Sequence, residues 1–333
     1  MNRIFTSLVC ASGLLASGLA TAASANFQLC STDGCRVGGS ATVSSSYAQT
    51  KYPLVFANGM AGFSQIGPLD YWYGIPQDLT ANGARVFVTQ EASFQSSEVR
   101  GEQLLNQVQQ ILAITGSAKV NLIGHSHGSQ SVRYVAGVAP QLVASATGVS
   151  GPNTGSAVAD VIKGVANIPG LGPLAAPVIA GIVNGFFSFV DITSGKAYEQ
   201  NALAGLDSLT SVGAAKFNAS FPGGMPSTSA PCTEGAYSAN GVRYYSWSGT
   251  GHFTNVLDPL DAGLAATGLA FGSTPNDGLV GQCSSHLGMV IRDNYNMNHL
   301  DTVNQIFGLV SIFEANPVSL FRQQANRLKL AGL

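Results

Sequence analysis

The chain runs to 333 residues, enough for one large α/β domain or two smaller ones, and its 45% apolar content is ample for a core. Only 10% of the residues are charged, where ordinary soluble domains carry about 25%, so the surface suits an extracellular protein that must meet apolar material. A net charge of −2 without a clustered basic face argues against nucleic acid as a partner.

In chain order, Arg3, the uncharged apolar stretch Ile4 to Ala20 and the small residues around Ala20-Thr21-Ala22 or Ala23-Ser24-Ala25 read as a secretory signal over residues 1–25. The stretch is short and rich in Gly, Ser and Ala, which argues against a membrane anchor. Cys10 lies inside it without the small residues that a lipoprotein cleavage site would place before it. Four cysteines then remain, an even number for an oxidising compartment. Cys30 with Cys35 could staple the N-terminal tail, and Cys232 with Cys283 could clip two long loops, free buried thiols being the alternative. No spacing of Cys and His suggests zinc.

Residues 26–50, biased to Ser, Thr and Gly, read as a loosely ordered polar extension, with the folded domain taken from 51 to 333. Leu54 to Ala57 and Arg85 to Thr89 read as buried strands, with a helical segment near Tyr73 to Ala81 between them. Leu104, Leu105, Val108, Ile111 and Leu112 recur at helical spacing after Ser97, a good N-cap. Lys119 to Ile123 is a strand, Gln130 to Val135 a helix, and Ala144 to Val149 a further strand. Such alternation implies a doubly wound, mostly parallel sheet with helices on both faces. From Gly164 to Val190 there is no charge, but prolines and glycines interrupt the run, so it reads as a mobile apolar flap rather than a membrane span. An ordinary buried helical hairpin is the competing reading. Asn240-Gly241 before Val242 to Trp247 marks a tight turn into a strand. No internal repeat is evident.

Between the strand Lys119–Ile123 and its helix stands Gly124-His125-Ser126-His127-Gly128, the sequence form of a nucleophile elbow. In a chain this rich in Gly and Ser the pattern alone is weak, and its flanks give it weight. Ser126 is the nucleophile candidate, and it needs a base with an acidic partner. Of five histidines, His125 and His127 are held by the elbow, while His299 lies late in the chain on a loop, where an α/β-hydrolase puts its base. Asp277, in the turn Asn276-Asp277-Gly278, completes the order Ser126, Asp277, His299. Read alone, Asp277 is an Asx-turn residue. The oxyanion needs two backbone N–H donors, which His127 and, after the first buried strand, Met60 of Asn58-Gly59-Met60 supply.

These residues resemble the secreted, calcium-containing, foldase-dependent bacterial triacylglycerol lipases, the Pseudomonas-type true lipases, an α/β-hydrolase family. The likeness runs from about Tyr47 to Leu333 and rests on Gln49 to Pro53, Asp70-Tyr71-Trp72-Tyr73-Gly74-Ile75-Pro76, Ser97 to Leu105, the elbow, and Asn276 to Leu309. It implies Ser126, His299 and Asp277 as the triad, Met60 and His127 as oxyanion donors, a Cys232–Cys283 disulfide, and a helical lid within about residues 156–200. It also implies a structural calcium ion held by the carboxylates of Asp258 and Asp301 and the carbonyls of Gln305 and Leu309. An ion there would pin the loop carrying His299. Two departures stand out: Asn58 replaces the histidine of the family's His-Gly-Met, and Asn153-Thr154 follow Pro152 where the family has a histidine. Backbone donation by Met60 survives the change, which bears instead on the pocket and substrate preference. The two loops are expected to touch and to have changed together. The expected protein is a secreted, monomeric hydrolase of long-chain acylglycerols that works at oil–water interfaces without inserting into membranes, assisted in folding by a lipase-specific foldase. A carboxylesterase or polyester hydrolase without strong interfacial activation, an acyltransferase and a catalytically dead surface-binding protein are the rival readings.

Overall fold

A computed structural model describes residues 23–66, 69–164 and 198–333. The expected signal, apart from its last few residues, and the greater part of the expected lid lie outside the described residues. The main sheet is built from β1 (Ser24–Ser31), β2 (Gly34–Thr42), β3 (Leu54–Ala57), β6 (Val86–Val88), β7 (Val120–His125), β8 (Val143–Val149), β10 (Val242–Gly249) and β11 (Met289–Tyr295), in the spatial order β11-β10-β8-β7-β3-β6-β1-β2. Its neighbours pair in parallel except for the β1–β2 hairpin. A separate ribbon joins β4 (Gln65–Ile66) to β5 (Leu69–Asp70), and β9 (Ser238–Ala239) turns through Asn240 and Gly241, both at positive φ, into β10.

Along β3, Leu54 and Phe56 enter one core layer while Val55 and Ala57 enter the other, the alternation that lets a sheet carry helices on both faces. The first layer is covered by α1 (Ile75–Ala81) and the C-terminal helix Pro317–Leu330, whose Phe321 packs against Phe56, Trp72 and Trp247. The second is covered by α2 (Ser97–Thr115) and α3 (Gly128–Val138), through Leu104, Val108 and Ile111 and through Val132 and Val135. Each such buried side chain is worth about 1.5–3 kcal/mol over exposure. The N-cap of α2 is Ser96, whose side chain accepts from the Val99 N–H. Ser97, the expected cap, is instead the first helical residue, because its hydroxyl is committed to His127 and Gln130.

The segment 26–50, expected as a loose extension, corrects that expectation: as far as Thr42 it belongs to the β1–β2 hairpin at the sheet edge. Phe27 and Leu29 alternate with polar residues and are buried, and β1 adds in parallel to β6 with Gln28 opposite Phe87. Two apolar side chains suffice because the edge they dock on is already formed by the rest of the domain. Cys30 and Cys35 lie opposite one another in the hairpin and are disulfide-bonded, as are Cys232 and Cys283.

Candidate active site

The parallel register fixes which loops meet. Ala57 lies opposite Gly124 and His125 opposite Val149, so Asn58-Gly59-Met60, Ser126 and Ser150 emerge side by side at the carboxyl edge of the sheet, where open α/β sheets bind ligands. Ser126 has φ of 55°, a left-handed conformation that costs a residue with a side chain of order 1–3 kcal/mol. The turn that imposes it tolerates no side chain at either motif glycine. A Cβ on Gly124 would lie 2.1 Å from the Gly128 carbonyl oxygen, and one on Gly128 2.3 Å from that of Ala57.

His299 follows β11, and its Nδ1 lies 2.9 Å from Asp277 Oδ2, both residues being buried. The other carboxylate oxygen, Asp277 Oδ1, accepts the N–H groups of Leu279 at 3.0 Å and Val280 at 2.7 Å, and the His299 N–H donates to the Asp277 carbonyl at 2.8 Å. A carboxylate held in this way accepts from Nδ1–H, which leaves Nε2 of His299 as the acceptor. Ser126 and His299 line one cavity of about 330 Å³, together with Met60, Leu206, Leu209, Leu279 and others of apolar character. Within the expected lid span, the described helix α4 (Ala157–Ile162) gives Val158, Ala159 and Ile162 to the same wall.

His127 directly follows Ser126 and is the N-cap of α3, with its imidazole turned into the protein toward Ser97 Oγ at 2.9 Å. Its backbone N–H therefore stands at the helix start, beside the nucleophile, in the place a first oxyanion donor takes. Met60 follows Gly59, where an added Cβ would lie 2.8 Å from Ser126 Cβ, so the loop passes directly over the serine.

Asp258 and Asp301 meet beside the loop that carries His299. Each has one oxygen satisfied by a backbone N–H, from Leu260 at 2.8 Å and Asn298 at 2.9 Å respectively. The other oxygens, Asp258 Oδ2 and Asp301 Oδ1, are buried without a hydrogen-bond partner. Burial pushes both carboxyls up, with Asp261 close by, and that of Asp301 reaches about 7. Among the described residues no three His, Cys, Asp or Glu form a metal cluster. Two orphaned carboxylate oxygens nevertheless fit a hard cation whose coordination is completed by carbonyls, the chemistry that the family's calcium set requires.

The alpha/beta hydrolase fold family matches residues 52–259. The chain is 54% identical over 288 residues to a triacylglycerol lipase of Vibrio cholerae serotype O1, covering 86% of this chain and 90% of that one. A triacylglycerol lipase of Pseudomonas fragi is 42% identical over 293 residues, covering 85% and 98%. The chain belongs to the bacterial triacylglycerol lipase family. This lipase is therefore a serine ester hydrolase, and it shares its fold with the mature lipase BlEst2 of Bacillus licheniformis, at TM-score 0.56 and 16% identity over 84% of this chain and 93% of that one.

Three residues of the lipase site escape a reading by residue type. Arg100 is fully buried: its Nη2 donates to the carbonyls of Asn58 at 2.5 Å and Gly59 at 3.1 Å, and its Nη1 to that of Ala92. A trans peptide points its C=O and N–H in opposite directions, so fixing the Gly59 carbonyl also fixes where the Met60 N–H points. Glu91 lies 3.8 Å from the guanidinium, and burial pushes its carboxyl up although Arg100 pulls it down. The only sequence sign was Arg100 in the family's Arg-Gly-Glu-Gln. Tyr71 and His125, 2.6 Å apart, are the other two. The two departures do not share partners: Asn58 bonds to Arg100, whereas Asn153 bonds to Ser129, Arg133 and Ser285. The expected coupling between them thus has no common hydrogen bond to act through.

Proposed function

We propose that the protein is a secreted lipase that hydrolyses long-chain acylglycerols at the oil–water interface. The reading is supported above all by the hydrogen-bonded His299–Asp277 pair and Ser126 opening on one apolar cavity, with the names of its relatives giving the substrate class. His299 takes the Ser126 proton as the oxygen attacks the ester carbonyl, and the backbone N–H groups of Met60 and His127 receive the oxyanion. Return of that proton to the alcohol breaks the ester bond and leaves an acyl-Ser126. Water, deprotonated by His299, then releases the fatty acid. A lid within about residues 156–200 opens to expose apolar surface that oil covers.

Calcium held by Asp258, Asp301 and the Gln305 and Leu309 carbonyls would supply positive charge to two orphaned carboxylates and fix the His299 loop. Export follows from the signal at residues 1–25, and folding is assisted by a lipase-specific foldase, giving a monomer. The decisive experiment compares purified protein on emulsified long-chain triacylglycerol and on a dissolved short-chain ester, with and without a calcium chelator. The lipase reading requires a marked rate rise above the solubility limit that a chelator suppresses. Equal or better rates on the dissolved ester would assign a carboxylesterase instead.

A further inference from the structure

The elbow holds His125 away from the place of a base, yet its ring is the centre of a hydrogen-bond chain. Its Nε2 lies 3.0 Å from the His299 carbonyl oxygen, which can only accept, so that nitrogen carries the proton. Nδ1 is then an acceptor, and Tyr71 Oη, 2.6 Å away, is its donor. The lone pair left on that hydroxyl takes the Gly59 N–H at 3.0 Å. Every group is buried, and every donor meets an acceptor in one direction only.

We propose that Tyr71 and His125 are positioning residues: the run Gly59 N–H to Tyr71 Oη, Tyr71 O–H to His125 Nδ1, His125 Nε2–H to His299 O locks the oxyanion loop and the base loop into one spacing across the nucleophile. The two loops come from opposite ends of the chain, after β3 and after β11, and neither rests on the other by sequence. The oxyanion donor and the base must nevertheless sit within a fraction of an ångström of their places when the tetrahedral adduct forms. Burial and the adjacent His299 ring, with centroids 4.7 Å apart, hold His125 well below the usual imidazole range, and burial raises Tyr71. Both therefore keep the protonation states that the chain needs. The proposal rests on the triad and oxyanion roles given above.

The experiment uses the mature lipase on a dissolved p-nitrophenyl ester, so that oil binding does not enter. Tyr71→Phe is expected to lower kcat about 10- to 100-fold, leave KM within about twofold, and weaken binding of a phenylboronic acid, which forms a tetrahedral adduct with the serine, by the same factor. His125→Asn, which can still accept from Tyr71, and His125→Gln, which can still donate to His299, each restore one link and fall between. Combining Tyr71→Phe with His125→Asn should cost no more than the worse single change, since the chain is already broken. In the unaltered protein, with 15N-labelled histidine, His125 should show a protonated Nε2 and a bare Nδ1. An Nδ1-protonated ring overturns the proposal even if no variant folds, as does a folded Tyr71→Phe with kcat within twofold of wild type, or losses that multiply. Ser126→Ala separates the two levels: residual esterase activity there overturns the role assignment and this inference with it, whereas an inert Ser126→Ala beside a fully active Tyr71→Phe overturns the bridge alone.

Discussion

Asp277 divides its two oxygens between two tasks. Oδ1 closes the turn by accepting from Leu279 and Val280, while Oδ2 orients His299. One carboxylate thus serves both the Asx turn and the pairing with His299, and a single substitution separates the two tasks. Asp277→Asn keeps an oxygen for the turn but loses the second acceptor, so the imidazole loses its preferred tautomer. Activity should drop by about 10³- to 10⁴-fold in kcat while the melting temperature barely moves, measured by ester hydrolysis and calorimetry on the same sample. Arg100 poses the opposite case, since its charge is sealed from water with Glu91. Arg100→Met strands that carboxylate and should cost about 3–5 kcal/mol of stability. Adding Glu91→Leu should recover much of the stability in chemical denaturation but not the activity, because the Asn58 and Gly59 carbonyls still lack their donor.

At the scale of elements, long loops rather than strands hold the chemistry, and each is tied down by something other than regular structure. The loop carrying Asp277 is closed by Cys232–Cys283, which spans 51 residues, whereas Cys30–Cys35 spans 5. Loop-closure entropy makes the first worth about 4 kcal/mol and the second about 2. Replacing the first pair by serines should therefore lower the denaturation midpoint about twice as far as replacing the second, with equal effects arguing against this entropic account. On the proposed calcium reading, an ion between Asp258 and Asp301 would tie down the His299 loop. Chelation should lower the melting temperature of the parent but leave Asp301→Asn unmoved, as followed by scanning calorimetry with and without added calcium. Regular elements were legible where apolar spacing was dense, as in β3, α2 and β7, and the convergence of Ser126 and His299 on one cavity, with Asp277 paired to His299, was legible because the candidate residue types are few and their order is constrained. Phe27 and Leu29 were not, since two apolar positions in a Ser- and Gly-rich stretch carry no period. Nor was Arg100: a charged residue on an amphipathic helix is solvated by default, and only the convergence of the Asn58, Gly59 and Ala92 carbonyls on one point gives it a buried home.

Across the whole molecule, the elbow buries two imidazoles and keeps both neutral, and this sets how stability responds to acid. Burial lowers His125 and His127 well below the usual range, aided by His299 for the first and by Arg100 for the second. His127 has its Nε2 bonded to Ser97 Oγ and its Nδ1 buried without a partner, so a second proton would find no acceptor there. The unfolded chain takes up those two protons below about pH 6.5, the folded chain does not, and the unfolded state is favoured accordingly. Stability from this source is therefore complete above about pH 7 and is lost as pH falls through 6.5, with a limiting slope of about 2.7 kcal/mol per pH unit for two groups. Urea midpoints between pH 5 and 6.5, above the range where ordinary carboxylates titrate and with calcium in excess, should trace that slope. His127→Gln retains an amide to reach Ser97 and removes one titrating ring, so its slope should halve while its stability at pH 8 stays close to the parent's. A variant with an unchanged slope would mean that His127 already carries a proton in the folded enzyme, and that the field behind the nucleophile is set differently from what its buried, one-sided hydrogen bond dictates.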